Sequence, residues 1–438
     1  MNKRLAVSCG VLAVGLLLGI ATAEAQIRGT IKGPGARSYP IALSPLKNLG
    51  GGTASPLATE FADVLQRDLD LTGLFRVIPR ETYIEQPQAS GITAEEINFE
   101  NWSVIGALAV VKGGYTVQGE KVTIEARLFD VYQRRQMAGR RYHGTAQDIR
   151  RMANKFADEL MREFTGERGP FDSRLAFVSN RGGRFKDIYV TSPDAGDILQ
   201  VTRSQSISLS PSWSPDVRQL VYTSYKRGNP DFYLLDFVTG RETKLTTGRE
   251  LHVGARFSPD GRMLAAAIEQ QGNVDIYLLD LNGRTVKRLT SDPAIDVSPT
   301  WSPDASQIAF TSSRGGGPQI YVMNSDGSNQ RRITYEGRYN TSPSWSPKGD
   351  QIAYTSRADG GFNIFTVHPD GTDVHQVTSS TGNNEDPSWA PDGRYMIFSS
   401  TRRGTAGLYV SDASGASQVA LTDRPGGDTS PAWSNWLE

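Results

Sequence analysis

From residue 171 onward, apolar and polar positions repeat one template six times. A short extended run ends on an aromatic residue, and a Pro/Asp turn follows. Next come an apolar strand, a basic or Gly-rich loop, a third apolar strand, a hairpin and a more polar fourth strand. The aromatic anchors are Trp213, Phe257, Trp301, Trp345, Trp389 and Trp433, 44 residues apart. Two further positions keep that interval: Tyr189, Tyr233, Tyr277, Tyr321, Phe365 and Tyr409, and Thr202, Thr246, Thr290, Thr334, Thr378 and Thr422. A repeat of this length, rich in strand formers and turn residues, predicts propeller blades and not a helical solenoid.

Residues 298–334 show the physics of one unit. Ser298-Pro299-Thr300-Trp301 is extended, and Ser302-Pro303-Asp304 turns the chain. Ile308–Thr311 and Ile320–Met323 are apolar strands, joined through Arg314-Gly315-Gly316-Gly317-Pro318. Asp326-Gly327 makes the hairpin and Arg332-Ile333-Thr334 the outermost strand. Such a blade cannot bury both faces alone, so neighbours must stack, with the Trp and Tyr registers as the filling. The first copy lacks an aromatic strand, whereas the last ends in an extra one, Ser430-Pro431-Ala432-Trp433. The C-terminal strand is therefore expected to complete the first blade and remove the free edges.

Ahead of the repeats the pattern changes. Lys3-Arg4, the apolar run Leu5–Ile20 and Ala23-Glu24-Ala25 predict a cleaved signal over 1–25. Residues 26–39 are Gly-rich and basic, and read either as a disordered tail or as a recognition strand with Ile27, Arg28 and Ile31 as contacts. A small α/β domain is expected over 40–166. It has a strand at Pro40–Leu43, a helix opened by Ser55-Pro56 and stopped by Gly73, and a strand at Phe75–Ile78. Strands at Val104–Val117 and Val122–Val131, with Met137–Tyr142 as a third, precede a helix capped by Thr145 and ended by Gly166. Residues 167–170 are the linker and 171–438 the propeller. The fold class expected is thus mainly β: a six-bladed β-propeller with four-stranded antiparallel blades, closed by the C-terminal strand, plus a small N-terminal α/β domain.

Composition narrows the function. The 47 basic residues balance the 47 acidic ones, which argues against a nucleic-acid partner. The one cysteine, Cys9, lies inside the signal, so the mature chain has no disulfide. The four histidines form no H-E-x-x-H motif, no G-x-S-x-G elbow occurs, and the Gly runs lack the Lys-Ser/Thr of a phosphate loop. No catalytic residue, metal ligand or cofactor is nominated.

Overlaying the repeats exposes one constellation. Five residues before each anchor stand Ser208, His252, Asp296, Asn340, Asn384 and Asp428, all polar. The anchor strand is innermost, so these six are expected to ring the channel mouth, followed by a more apolar set that includes Val253 and Val297. Polar crossover loops are also expected simply because they are wet. The second-to-third-strand loops of that face carry Arg181, Arg227, Arg314, Arg357 and Arg402, while the opposite hairpins carry Asp. A cationic rim should draw an acidic protein surface, chiefly by raising its association rate. Two other readings use the same ring: a propeller hydrolase or lyase with Asp296, Asp428 and Glu385 as its only candidate acids, or a glycan- or metal-binding propeller.

An export signal, a small α/β domain and repeats such as Ser342-Pro343-Ser344-Trp345-Ser346-Pro347 and Phe257-Ser258-Pro259-Asp260-Gly261 resemble the TolB family. The resemblance covers the whole chain and implies a role without a reaction. It implies a periplasmic scaffold of the Tol-Pal system that is a monomer within hetero-complexes and is tied to membranes only indirectly. Its partners would be the lipoprotein Pal at the channel mouth, the C-terminal domain of TolA at the N-terminal segment, and other outer-membrane lipoproteins as further candidates. The role implied is support of outer-membrane integrity and of constriction during cell division. The Pal-binding stretch corresponds to 251–255 and 296–298, with His252 and Asp296, and the TolA-binding segment to 26–37.

Overall fold

The structure is a computed structural model that describes residues 38–246, 250–358, 360–379, 382–422 and 426–438. The expected signal, and the segment with Ile27, Arg28 and Ile31, lie outside the described residues.

The N-terminal unit is one mixed sheet with two long helices on one face. Its strands Phe75–Val77, Tyr39–Leu43, Ala109–Gln118, Lys121–Asp130 and Arg135–Gly144 lie in that spatial order, and the short strand Lys47–Asn48 pairs with Ala109–Gln118. Helix Leu57–Thr72 ends at Gly73, and helix Ile149–Thr165 at Gly166. Both glycines adopt left-handed φ, 66° and 83°, where a Cβ would be strained. Thr145 and Asp148 form a capping box before the second helix. Each helix turns an apolar stripe to the sheet; Phe61, Leu65, Phe156 and Leu160 are fully buried there, each contributing about 1.5–3 kcal/mol. The other sheet face is covered by residues 78–107, including the helix Phe99–Val104. That helix takes Val104 out of the strand expected to begin with it, because Asn98 accepts from Glu100 N–H at 3.1 Å and starts a turn of helix instead.

The propeller has six four-stranded antiparallel blades. In chain order from blade 2 their innermost strands are Ser208–Trp213, His252–Phe257, Asp296–Trp301, Asn340–Trp345 and Asn384–Trp389. Blade 1 combines Thr429–Trp436 with Ser173–Ser179, Asp187–Thr191 and Leu199–Gln200. Trp433 lies opposite Leu175 and donates its indole N–H to Ser173 Oγ at 2.9 Å, so the ring closes through strand pairing.

Period-2 alternation builds the layers between blades. Ala309, Ile320 and Val322 pack forward on Trp345 and Tyr354, whereas Phe310, Tyr321 and Met323 pack back on Ala265 and Ile276. Three indoles clip adjacent inner strands together: Trp213 donates to the Ala432 carbonyl at 3.1 Å, Trp301 to that of Arg256 at 3.3 Å, and Trp389 to that of Ser344 at 3.0 Å.

The threonine register acquires a physical cause. Each threonine follows the fourth strand, and its hydroxyl accepts a backbone N–H from the third strand of the same blade. The six donors are Ile188, Phe232, Ile276, Ile320, Ile364 and Leu408, at 2.8–3.0 Å. In blades 1 to 5 the hydroxyl also donates to the side chain of the residue just before that donor: Asp187, Asp231, Asp275, Gln319 or Asn363. In blade 6 that position is Gly407.

Candidate functional site: the two faces of the ring

Strand direction assigns the faces. Ser208 pairs with Ser224, and Ser224 with Asp231, so the start of the innermost strand shares a face with the second-to-third-strand loop. The same holds for Asp296, Ser312 and Gln319. This is the loop face. The third-to-fourth-strand hairpins and the Pro/Asp turns occupy the other, the hairpin face.

The N-terminal unit packs on the hairpin face. Arg67 and Arg150 both pair with Asp194, in the hairpin after Asp187–Thr191. Arg394 donates to Thr165 Oγ1 at 2.6 Å, and Trp436 to the Gly169 carbonyl at 2.7 Å. One apolar core runs from both helices through Phe171 and Phe177 to Tyr395, Leu408 and Trp433. On these contacts the long helices sit against blades 1 and 6 while the loop face lies on the far side.

On that far side the six polar ring positions stand where expected but are turned inward. Ser208, Asp296, Asn340, Asn384 and Asp428 are fully buried and His252 nearly so. Five of them pair with the second strand and Asp428 directly precedes Thr429, which pairs with Val178; this register directs their side chains into the blade. Asp296 accepts from Arg314 at 2.7 Å and Asp428 from Arg181 at 2.5 Å. Asn384 accepts from Arg402 at 2.9 Å and from Ser400 at 2.7 Å, and Asn340 donates to Gln319 at 2.8 Å. Ser208 reaches Ser224 Oγ at 3.4 Å. His252 directs Nδ1 at the Pro230 carbonyl, 3.3 Å away, and packs edge-on against Phe232; burial holds its pKa below the usual histidine range. Burial likewise raises the Asp296 carboxyl, against the pull of Ser312 and Arg314. These side chains brace the loops and do not form an open contact ring. The expectation that this position is polar because it is wet fails for the same reason.

The cationic rim divides into two kinds. Arg181, Arg314 and Arg402 are tied to ring residues and stack on the pairs Phe177/Tyr189, Phe310/Tyr321 and Phe398/Tyr409, at 4.3–5.5 Å from the ring centres. Arg227 and Arg357 extend into solvent, as do Arg184, Lys186 and Arg403.

The pattern analysis missed the residues that do face outward. Ile207, Ile295 and Tyr339, each one place before a ring position, are 42%, 53% and 40% exposed, and Tyr335 is 71% exposed. Val253 and Val297 are half-buried beside them. The signal was available: in a strand the neighbour of an inward residue points outward.

Inside the ring runs a cavity of about 580 Å³ lined by the innermost strands. Every innermost strand carries a β-bulge two residues after its ring position. There Ser210, Gly254, Ser298, Ser342, Asp386 and Ser430 take left-handed φ of 47–66°. Among the described residues no group of three or more metal-type ligands is gathered.

The chain is a closed six-bladed β-propeller with a small α/β unit packed on its hairpin face. Family comparisons agree. A model of the TolB β-propeller domain matches residues 161–437, and one of the TolB amino-terminal domain matches residues 28–137. The chain belongs to the TolB family. The Tol-Pal system protein TolB of Syntrophotalea carbinolica is 41% identical over 205 residues, 47% of this chain and 47% of that protein. The TolB of Geobacter sulfurreducens is 43% identical over 188 residues, 42% of each. The matches thus span about half the length of these curated relatives. The crystal structure of TolB from Acinetobacter baumannii superimposes with a TM-score of 0.79 at 25% identity, covering 92% of this chain and 98% of that one.

Proposed function

We propose that this chain is a non-enzymatic scaffold of the Tol-Pal system, exported to the periplasm, that captures Pal on its loop face. In this reading the segment 26–37 engages the C-terminal domain of TolA, and the pair of contacts supports outer-membrane integrity and constriction at division. What supports the docking role is the coincidence, on the face turned away from the N-terminal unit, of exposed Ile207, Ile295, Tyr335 and Tyr339 with the solvent-facing cations Arg227, Arg357 and Arg403. Apolar anchors rimmed by one sign of charge fit a protein partner with an acidic periphery.

The contact residues proposed are Ile295, Tyr339, Val253 and Val297, with Arg227 and Arg357 steering. Ser208, His252, Asp296, Asn340, Asn384 and Asp428 position the loops, together with Arg181, Arg314 and Arg402. The test is calorimetric titration of purified Pal into wild type and Ile295→Asp/Tyr339→Ala. Losing two central anchors is expected to weaken binding by about tenfold or more, at an unchanged melting temperature. Unaltered affinity would move the site off this face. Deleting residues 26–37 should abolish TolA binding and leave Pal capture intact.

A further inference from the structure

The channel breaks its own symmetry at two points. At the position before each anchor five blades carry small residues, Ser212, Thr300, Ser344, Ser388 and Ala432, and blade 3 carries Arg256. At the bulge position five blades carry Ser or Gly, and blade 6 carries Asp386. In a six-membered ring blades 3 and 6 stand opposite, so the two charges lie on facing walls. Both residues line the axial cavity.

Their surroundings differ. Asp386 accepts hydroxyls from both flanking blades, Ser342 at 3.0 Å and Ser430 at 2.9 Å. Arg256 has no such partner. Its Nη1 donates to the carbonyls of Pro211 at 3.4 Å and Ala255 at 3.3 Å, both long, and no carboxylate lies within 4.0 Å among the described residues. Burial lowers its pKa, and Asp386 acts on it only from a distance. A guanidinium with five donors, half-buried on the channel wall and offered two long acceptors, lacks its usual bidentate partner.

We propose that the axial channel binds a small monoanionic carboxylate, held by the Arg256 guanidinium. A planar carboxylate matches the guanidinium fork. One negative charge neutralises Arg256, whereas a dianion would leave excess charge opposite Asp386 in a narrow cavity. The indoles of Trp213, Trp301 and Trp389 also line the cavity and report on its occupancy. This site is separate from loop-face docking and does not depend on it.

The test is tryptophan fluorescence of the full chain titrated with acetate, phosphate or chloride at constant ionic strength. Acetate is expected to give a saturable change. Arg256→Ser, which installs the residue type other blades use, should weaken it by about tenfold or more, as for loss of a charge-assisted pair. Arg256→Lys keeps the charge without the fork and should be intermediate. The proposal is overturned by a wild type that shows no saturation, by phosphate or chloride binding as well as acetate, or by equal acetate binding in Arg256→Ser. Should Arg256→Ser not fold, wild-type affinity in Arg256→Lys overturns the fork assignment.

Discussion

At the scale of single residues, the most informative side chains are those that satisfy backbone groups and those left without partners. Thr334 accepts from Ile320 N–H at 3.0 Å and donates to Gln319 at 2.8 Å. Thr334→Val keeps the shape and orphans a buried N–H, so a loss of about 1–3 kcal/mol is expected in urea denaturation. Asp68 is the opposite case. It is fully buried in the first long helix, and neither carboxylate oxygen has a hydrogen-bond partner. Burial, then Asp194 and Asp158, raise its pKa well above the ordinary carboxylate value, while Arg67 and Arg150 oppose them. A carboxyl raised in the folded state gives its full stability below the unfolded pKa and loses it as pH rises through the folded one. Asp68→Asn should therefore be more stable than wild type at pH 8, and the advantage should shrink in acid. A pH-independent difference in melting temperature would refute that origin.

At the scale of elements, the inner strand is the part that departs from regularity. Its bulge divides it into two halves that both pair with the second strand, with the register shifted between them. Five blades place a non-glycine residue at left-handed φ there, and Gly254 alone occupies that conformation without a Cβ. Ser298→Gly is expected to raise stability by about 0.5–1 kcal/mol, whereas Ser298→Val should lower it; thermal melts of the two variants against wild type check both signs. The bulge also explains why alternation could not be extrapolated along this strand. Asp296 points into the blade, Val297 packs half-buried against the apolar layer between blades, and at Ser298 the register shifts before Thr300 pairs with Ala309.

At the scale of the molecule, stability is a property of the closed ring. Removing 429–438 deletes the innermost strand of blade 1, the Trp433–Ser173 bond and the Trp436–Gly169 bond to the linker. The truncated chain is expected to lose cooperative unfolding and become protease-sensitive in blades 1 and 6, which limited proteolysis with mass mapping would show. The repeat interval alone determined the blade number, the strand order and the closure, because 44-residue registers leave one way to bury the anchors of every copy. Turn chemistry set the helix stops at Gly73 and Gly166, and strand counting placed the basic loops on one face. Only the tertiary structure decided which residues of that face are accessible. A polar residue in a repeat reads the same whether it meets solvent or a buried arginine, so Asp296 and Asn384 resembled contact residues until their loops folded back on them. The meeting of Arg256 and Asp386 across the channel was hidden for a related reason. They lie 130 positions apart in sequence, and only the closing of the circle makes them face each other.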